Sequence, residues 1–253
     1  MKLIASDYDG TLNRNGVQDH VSRAIADWQA AGNKFGVVSG RGMPSLLWVM
    51  EKDPVICDFL IANNGAVLAD GKGNVISYHH RDAGLCGEIV PFVLEHQGKY
   101  AIVCFAENEF YVVRDEQKAR HADDGKYQTA DTYTPSAFTQ ISTVSETRSE
   151  AMQLAEAINR EFSGKVTALV NGRSIDIVPY GVDKAEGIRE LCALWKLDTD
   201  AVRTVGDNYN DEAMIRAFTS YAVENAVEEI KALATYVVCD IAELCERETA
   251  EQS

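Results

Sequence analysis

The chain has 253 residues, 46% of them apolar, and a formal net charge of −15. Its length and apolar content supply a core for one or two domains, while the negative charge argues against nucleic acid or an anionic membrane as a partner. No apolar run approaches the roughly 18 to 20 residues that span a bilayer, no signal-peptide pattern opens the chain, so a cytoplasmic location is expected, and the six cysteines lack Cys-x-x-Cys spacing and read as reduced core thiols.

The first predicted element is a strand over Leu3 to Ser6, and it runs into Asp7-Tyr8-Asp9-Gly10-Thr11. A strand entering a Gly-containing turn carries its last side chains to the carboxyl edge of a sheet, where ligands of open α/β proteins bind. Two carboxylates one residue apart repel, so they need a cation or a shared proton to coexist. Asp-x-Asp-Gly is also an ordinary polar turn. The other reading makes Asp7 a nucleophile or metal ligand and Asp9 a proton donor. A helix over Val21 to Ala31 follows, then a strand over Phe35 to Val38 that ends in Ser39-Gly40-Arg41, a hydroxyl, a flexible Gly and a cation able to cradle an oxyanion. With a helix over Pro44 to Met50 the order is βαβα, the signature of a parallel sheet with right-handed crossovers. Phe59 to Ala62 leads into Asn63-Asn64-Gly65-Ala66, either a further turn at the same edge or a hairpin turn. Val67-Leu68 and Val75-Ile76 flank Asp70-Gly71 and predict a hairpin.

Residues 82 to 178 have a different texture. Helical spacing in Ile89 to Leu94 gives way to strands over Tyr100 to Phe105 and Phe110 to Val113, joined through Glu107-Asn108-Glu109. The polar stretch from Asp115 to Thr134 predicts an irregular connection. A helix over Met152 to Phe162 precedes strands Val166 to Val170 and Ser174 to Val178, joined by the hairpin signal Asn171-Gly172-Arg173. The pattern is an α+β domain with an antiparallel sheet. Beyond it, Asp183-Lys184-Ala185 opens an amphipathic helix marked by Ile188, Leu191, Leu194 and Trp195. A cation in a first turn opposes the helix dipole, which points to a bound anion or to a merely exposed lysine. The strand Val202 to Val205 then ends in Gly206-Asp207-Asn208-Tyr209-Asn210-Asp211, again two acids just past a strand.

Taken in order, the DxDGT segment, the serine after the second strand, the lysine and the GDxxND segment resemble the haloacid dehalogenase superfamily of phosphohydrolases, in its Cof-type branch. The resemblance covers residues 1 to about 80 and about 180 to 240. It implies an α/β fold: a Rossmann-like parallel-sheet core built from residues 1–81 and 179–253, with an inserted α+β cap at 82–178. It implies Asp7 as nucleophile and Asp9 as acid and base. The phosphate would be held by Ser39, Lys184, Asn210 and the backbone around Tyr8 and Gly40. Mg²⁺ would be bound by Asp7, the Asp9 carbonyl and Asp207, with Asp211 nearby directly or through water. Arg41, Asn64 and Gly65 are candidate substrate contacts, and in the cap so are Tyr111, Arg114, Arg120, His121, Lys126 and Arg173. The implied partner is a small phosphorylated metabolite, a sugar phosphate first. The implied activity is a Mg²⁺-dependent phosphatase; a phosphomannomutase-like enzyme and a non-catalytic binding protein on the same scaffold stay open as alternatives.

Overall fold

A computed structural model describes residues 1–96, 100–104, 110–114, 127–129 and 133–250. In chain order the elements are β1 (Leu3–Ser6), α1 (Asp19–Ala30), β2 (Lys34–Val38), α2 (Met43–Met50), β3 (Phe59–Ala62), β4 (Val67–Asp70) and β5 (Val75–Tyr78). They continue as α3 (Ala83–Glu95), β6 (Ala101–Cys104), β7 (Phe110–Arg114), β8 (Tyr127–Thr129), β9 (Gln140–Val144), α4 (Arg148–Glu161), β10 (Val166–Asn171) and β11 (Ser174–Pro179). The last are α5 (Lys184–Trp195), β12 (Val202–Gly206), α6 (Glu212–Ala217), β13 (Thr219–Val223), α7 (Glu228–Leu233), β14 (Tyr236–Val238) and α8 (Ile241–Ala250). Two compact units result, Met1–Ile76 with Asp183–Ser253, and Ser77–Val182. Among the described residues no helix is long and apolar enough to cross a membrane.

The first unit is built on an eight-stranded sheet in the order β14-β13-β12-β1-β2-β3-β4-β5. The six strands from β14 to β3 pair in parallel, and β4 turns back antiparallel on β3. Parallel strands are covered on both faces and therefore read as continuous apolar runs, as Leu3-Ile4-Ala5 and Phe59-Leu60-Ile61-Ala62 do. Their alternation divides two cores. Ile4, Phe35, Val37, Leu60 and Val205 pack with Trp28, Met43, Ile230 and Leu244 on one face, whereas Leu3, Ala5, Phe59 and Ile61 pack with Ile188, Leu191 and Met214 on the other. Trp48, by contrast, is exposed, with Lys52 over its ring.

The second unit carries a six-stranded sheet in the order β10-β11-β9-β6-β7-β8. The two predicted hairpins form as antiparallel pairs, β6 with β7 and β10 with β11. The strand between them, β9, pairs with both β6 and β11 and lies at the centre of the sheet. Ile141, Ile175, Ile177 and Val103 pack with Ile89 and Val93 of α3 and Leu154 and Ile158 of α4. A capping box at Thr147 and Glu150 fixes the start of α4. The Glu107-Asn108-Glu109 turn, the candidates Arg120, His121 and Lys126, most of the 115–134 connection and the side chains of Tyr111 and Arg114 lie outside the described residues.

One buried carboxylate ties the last helix to the sheet. Glu248, 1% exposed, accepts from Lys2 Nζ at 2.6 Å, Arg203 Nε at 2.6 Å and Tyr221 Oη at 2.5 Å. Burial raises its pKa, but the bonds from Lys2, Tyr221 and Arg203 outweigh that and hold it below the ordinary glutamate value. A depressed carboxylate contributes stability above its unfolded pKa and loses it as the pH falls through the folded one. Glu248→Gln is therefore expected to cost about 3 kcal/mol at pH 7. Urea titrations should also show it losing part of the decline that the unaltered protein undergoes as the pH drops below 4.5, the ordinary glutamate value.

Candidate active site

Because β1, β2 and β12 are parallel and aligned, with Ser6 opposite both Val37 and Val205, the segments that follow them emerge at one sheet edge. Asp7 extends the ladder by one bond, its N–H donating to Val205 O at 2.9 Å. The chain then turns tightly: Gly10 N donates to Asn13 O at 3.0 Å and Asn13 N to Tyr8 O at 2.8 Å. Gly10 sits at φ +86°, and a Cβ there would lie 2.5 Å from Asp207 Oδ2, so a side chain is excluded twice over. The turn is held to the neighbouring loops by Thr11 Oγ1, which donates to Asp207 Oδ1 at 2.8 Å, and by Asn225 Nδ2, which donates to Gly10 O at 2.8 Å. Neither Thr11 nor Asn225 is singled out by the sequence reading. The available signal for Asn225 is its place just past the apolar run of β13, at the same edge.

Lys184 begins α5, whose N-cap is Asp183, accepting from Glu186 N at 2.9 Å. Its side chain is fully buried, and Nζ donates to Asp7 Oδ1 and Asp211 Oδ1 at 2.6 Å each. The two readings open in the sequence were a bound anion or exposure; burial removes the second, and the anions present are the protein's own carboxylates. The other oxygen of Asp211 accepts from the backbone N–H of Asp207 at 2.9 Å and of Asn208 at 3.1 Å. A Cβ on Gly206 would lie 2.6 Å from the Asp211 carboxylate, which accounts for the glycine. The Asn63–Gly65 segment forms a short 3-10 turn with left-handed backbone, and it is both a turn at this edge and the hairpin connection from β3 to the antiparallel β4. Asn64 is fully buried and its N–H donates to Ser39 O at 3.0 Å. A Cβ on Gly65 would lie 2.0 Å from Asp183 O, so this segment braces the start of the lysine helix.

Asp7, Asp207 and Asp211 offer carboxylate oxygens that all lie within 4.8 Å of one another. Three carboxylates against one ammonium leave two negative charges uncompensated. Burial and the neighbouring Asp211 push the Asp7 pKa well up against the pull of Lys184, and the same two causes raise Asp207. Burial works to lower the Lys184 pKa, but Asp211 and Asp7 outweigh it and hold the lysine above its ordinary range. The Asp9 side chain is 52% exposed and meets a two-pronged Arg41, Nε to Oδ2 at 2.6 Å and Nη2 to Oδ1 at 2.8 Å. Ser39 is buried and its Oγ accepts from Arg41 N at 3.1 Å. The Tyr8 side chain enters the core, where burial and a hydrogen bond to Asp53 push its pKa up to about 12; only its backbone is left at the edge. Gly40 and Asn210 are partly exposed in the loops after β2 and β12.

A family model described as haloacid dehalogenase-like hydrolase matches residues 4–243. A 5-amino-6-(5-phospho-D-ribitylamino)uracil phosphatase of Escherichia coli (strain K12) is 28% identical over 247 residues, which cover 93% of this chain and 90% of that protein. The fold is similar to that of a haloacid dehalogenase-like hydrolase from B. subtilis, with a TM-score of 0.81 at 20% identity, covering 97% of this chain and 99% of the other. It is also similar to a HAD subclass IIB sugar phosphatase, with a TM-score of 0.76 at 19% identity, covering 100% and 98%.

Lys184→Met removes the ammonium from among three carboxylates. It is expected to destabilise the protein by about 3 to 5 kcal/mol at pH 8. Raised carboxylate pKa values favour the folded state in acid and lose that contribution as the pH rises, so the deficit should shrink toward pH 5. Urea titrations of both proteins across that range check it.

Proposed function

The chain belongs to the haloacid dehalogenase-like hydrolases, and on that footing we propose that it is a Mg²⁺-dependent phosphatase of small phosphorylated metabolites, sugar phosphates first, working through an aspartyl-phosphate on Asp7. The observation that carries the reading is the cluster of Asp7, Asp207 and Asp211 around Lys184, with its two uncompensated negative charges. Oxygen donors alone suit a hard divalent cation that keeps several waters, and the residues present fit it. Asp7 and Asp207 would hold the ion with the Asp9 carbonyl. Asp211, whose oxygens already take Lys184 and two backbone N–H groups, would position its partners. When bound, Mg²⁺ would neutralise charge on the phosphoryl oxygens.

The chain's own groups supply the rest. Asp7 attacks phosphorus, a recognised form of covalent catalysis by carboxylates. Lys184 keeps the attacking carboxylate oriented and offers positive charge beside it. Ser39, Asn210 and the N–H groups around Tyr8 and Gly40 would receive the phosphoryl oxygens. Asp9 is more exposed than Asp7 and follows it by two residues. It would protonate the departing alkoxide and then take a proton from the water that releases phosphate. Residues 82–178 would act as the cap that selects the leaving group. The sugar-phosphate class is supported by the ribityl phosphate named for the E. coli relative and by the sugar phosphatase of similar fold.

The test is phosphate release from phosphorylated sugars, ribityl phosphates, nucleotides and p-nitrophenyl phosphate, with Mg²⁺ and with EDTA. Release is expected with Mg²⁺, at least about a hundredfold above EDTA, and highest for sugar or ribityl phosphates. Absence of release from every compound would overturn the phosphatase reading, and sugar isomerisation without release would point to a mutase.

A further inference from the structure

Asp9 has two opposite duties in the proposed cycle, and the arrangement of Arg41 suits one of them. The guanidinium spans both oxygens of Asp9, at 2.6 and 2.8 Å. Arg41 is itself fixed at three further points. Its N–H donates to Ser39 Oγ at 3.1 Å, its carbonyl accepts from Asn63 N at 2.9 Å, and Nη1 donates to Ser45 Oγ at 3.2 Å. Asp9 lies in the turn that Asn225 secures through Gly10 O. The pair is too exposed, at 35% for Arg41 and 52% for Asp9, for stability to be its main consequence, because exposed ion pairs contribute little.

We propose that Arg41 is a positioning residue that presents Asp9 as the proton acceptor for the second half of the reaction, the hydrolysis of the aspartyl-phosphate. This rests on the phosphatase reading and adds to it a task for Arg41. A carboxylate has about four lone-pair sites. The guanidinium takes one on each oxygen, fixes the plane of the group and leaves the remaining sites to accept from water. In that step water oxygen attacks phosphorus and the bond from phosphorus to the Asp7 oxygen breaks. Its electron pair returns to Asp7 as carboxylate, the water proton passes to Asp9, and orthophosphate departs. Asp9 then gives the proton to the leaving oxygen of the next substrate.

With p-nitrophenyl phosphate the leaving group needs no proton, so formation of the intermediate should be insensitive to Arg41 while its breakdown should not. Rapid mixing with Mg²⁺ would follow nitrophenolate release and, by intact mass, the fraction of chains carrying one added phosphoryl group. For Arg41→Met, kcat is expected to fall about tenfold with kcat/KM unchanged, and the phosphorylated fraction to rise correspondingly. Arg41→Lys, which keeps the charge but cannot span both oxygens, should show a smaller change in the same direction. Thermal midpoints within about 2 °C of the unaltered protein should confirm that the fold is kept. A fall in kcat/KM without added phosphoryl would show that Arg41 contacts the substrate, and unchanged kinetics would leave it a surface ion pair; either result overturns the inference while the phosphatase reading stands. An unaltered protein that releases phosphate from none of the phosphorylated sugars, ribityl phosphates, nucleotides and p-nitrophenyl phosphate would overturn both.

Discussion

The arrangement at the sheet edge depends on a single buried ammonium. Taking Lys184 Nζ out of water costs several kcal/mol, and that cost is offset only if its partners are close and well aligned. Asp7 and Asp211, each 2.6 Å away, meet the requirement. The consequence spreads through three loops. Asp211 must come close enough that residue 206 can carry no side chain, and the start of α5 must approach the Asn63–Gly65 segment closely enough that residue 65 can carry none. The acidic loops after β1 and β12 are thus drawn toward a helix that would otherwise have no reason to begin with lysine.

That pairing also decides what kind of ligand the edge can accept. A chain of net charge −15 does not attract an anionic substrate over long distances, so attraction has to be local. Yet the local cations are already committed, Lys184 to two carboxylates and Arg41 to Asp9. Four carboxylates against two cations leave the site two charges negative. A phosphate monoester would be repelled by such a site. A divalent cation would restore balance there, which is why the metal and the anionic substrate belong to one proposal.

Much of the parallel core was legible because its signals are local. Apolar runs ended in polar turns, helix spacing lay between them, and the catalytic candidates sit at strand ends. The lysine was harder. Its first-turn position leaves open a bound anion or a merely exposed lysine, while its partners, Asp7 and Asp211, are 177 and 27 residues away in sequence. The Asn63-Asn64-Gly65 segment fits a hairpin turn by composition and makes one between β3 and β4, but its second task is not written there. It forms a brace because Gly65 is pressed against Asp183, a contact no local pattern contains. In the second unit, β9 went unread because Gln140-Ile141-Ser142-Thr143-Val144 is short and half polar. It becomes a strand through pairing on both sides. Glu248, near the chain's end on an amphipathic helix, reads as surface until Lys2, Arg203 and Tyr221 enclose it.

On this view Asp7 is the group that attacks phosphorus, and Lys184 is what makes a buried carboxylate usable there. The most direct measurement is a single turnover of an accepted substrate with Mg²⁺, quenched in acid and mapped by peptide mass, on the unaltered protein and on Asp7→Asn. A phosphoryl group on Asp7 in the first, with neither turnover nor modification in the second, is the expected result. Turnover by Asp7→Asn, or a phosphoryl group on another residue, would contradict the central claim.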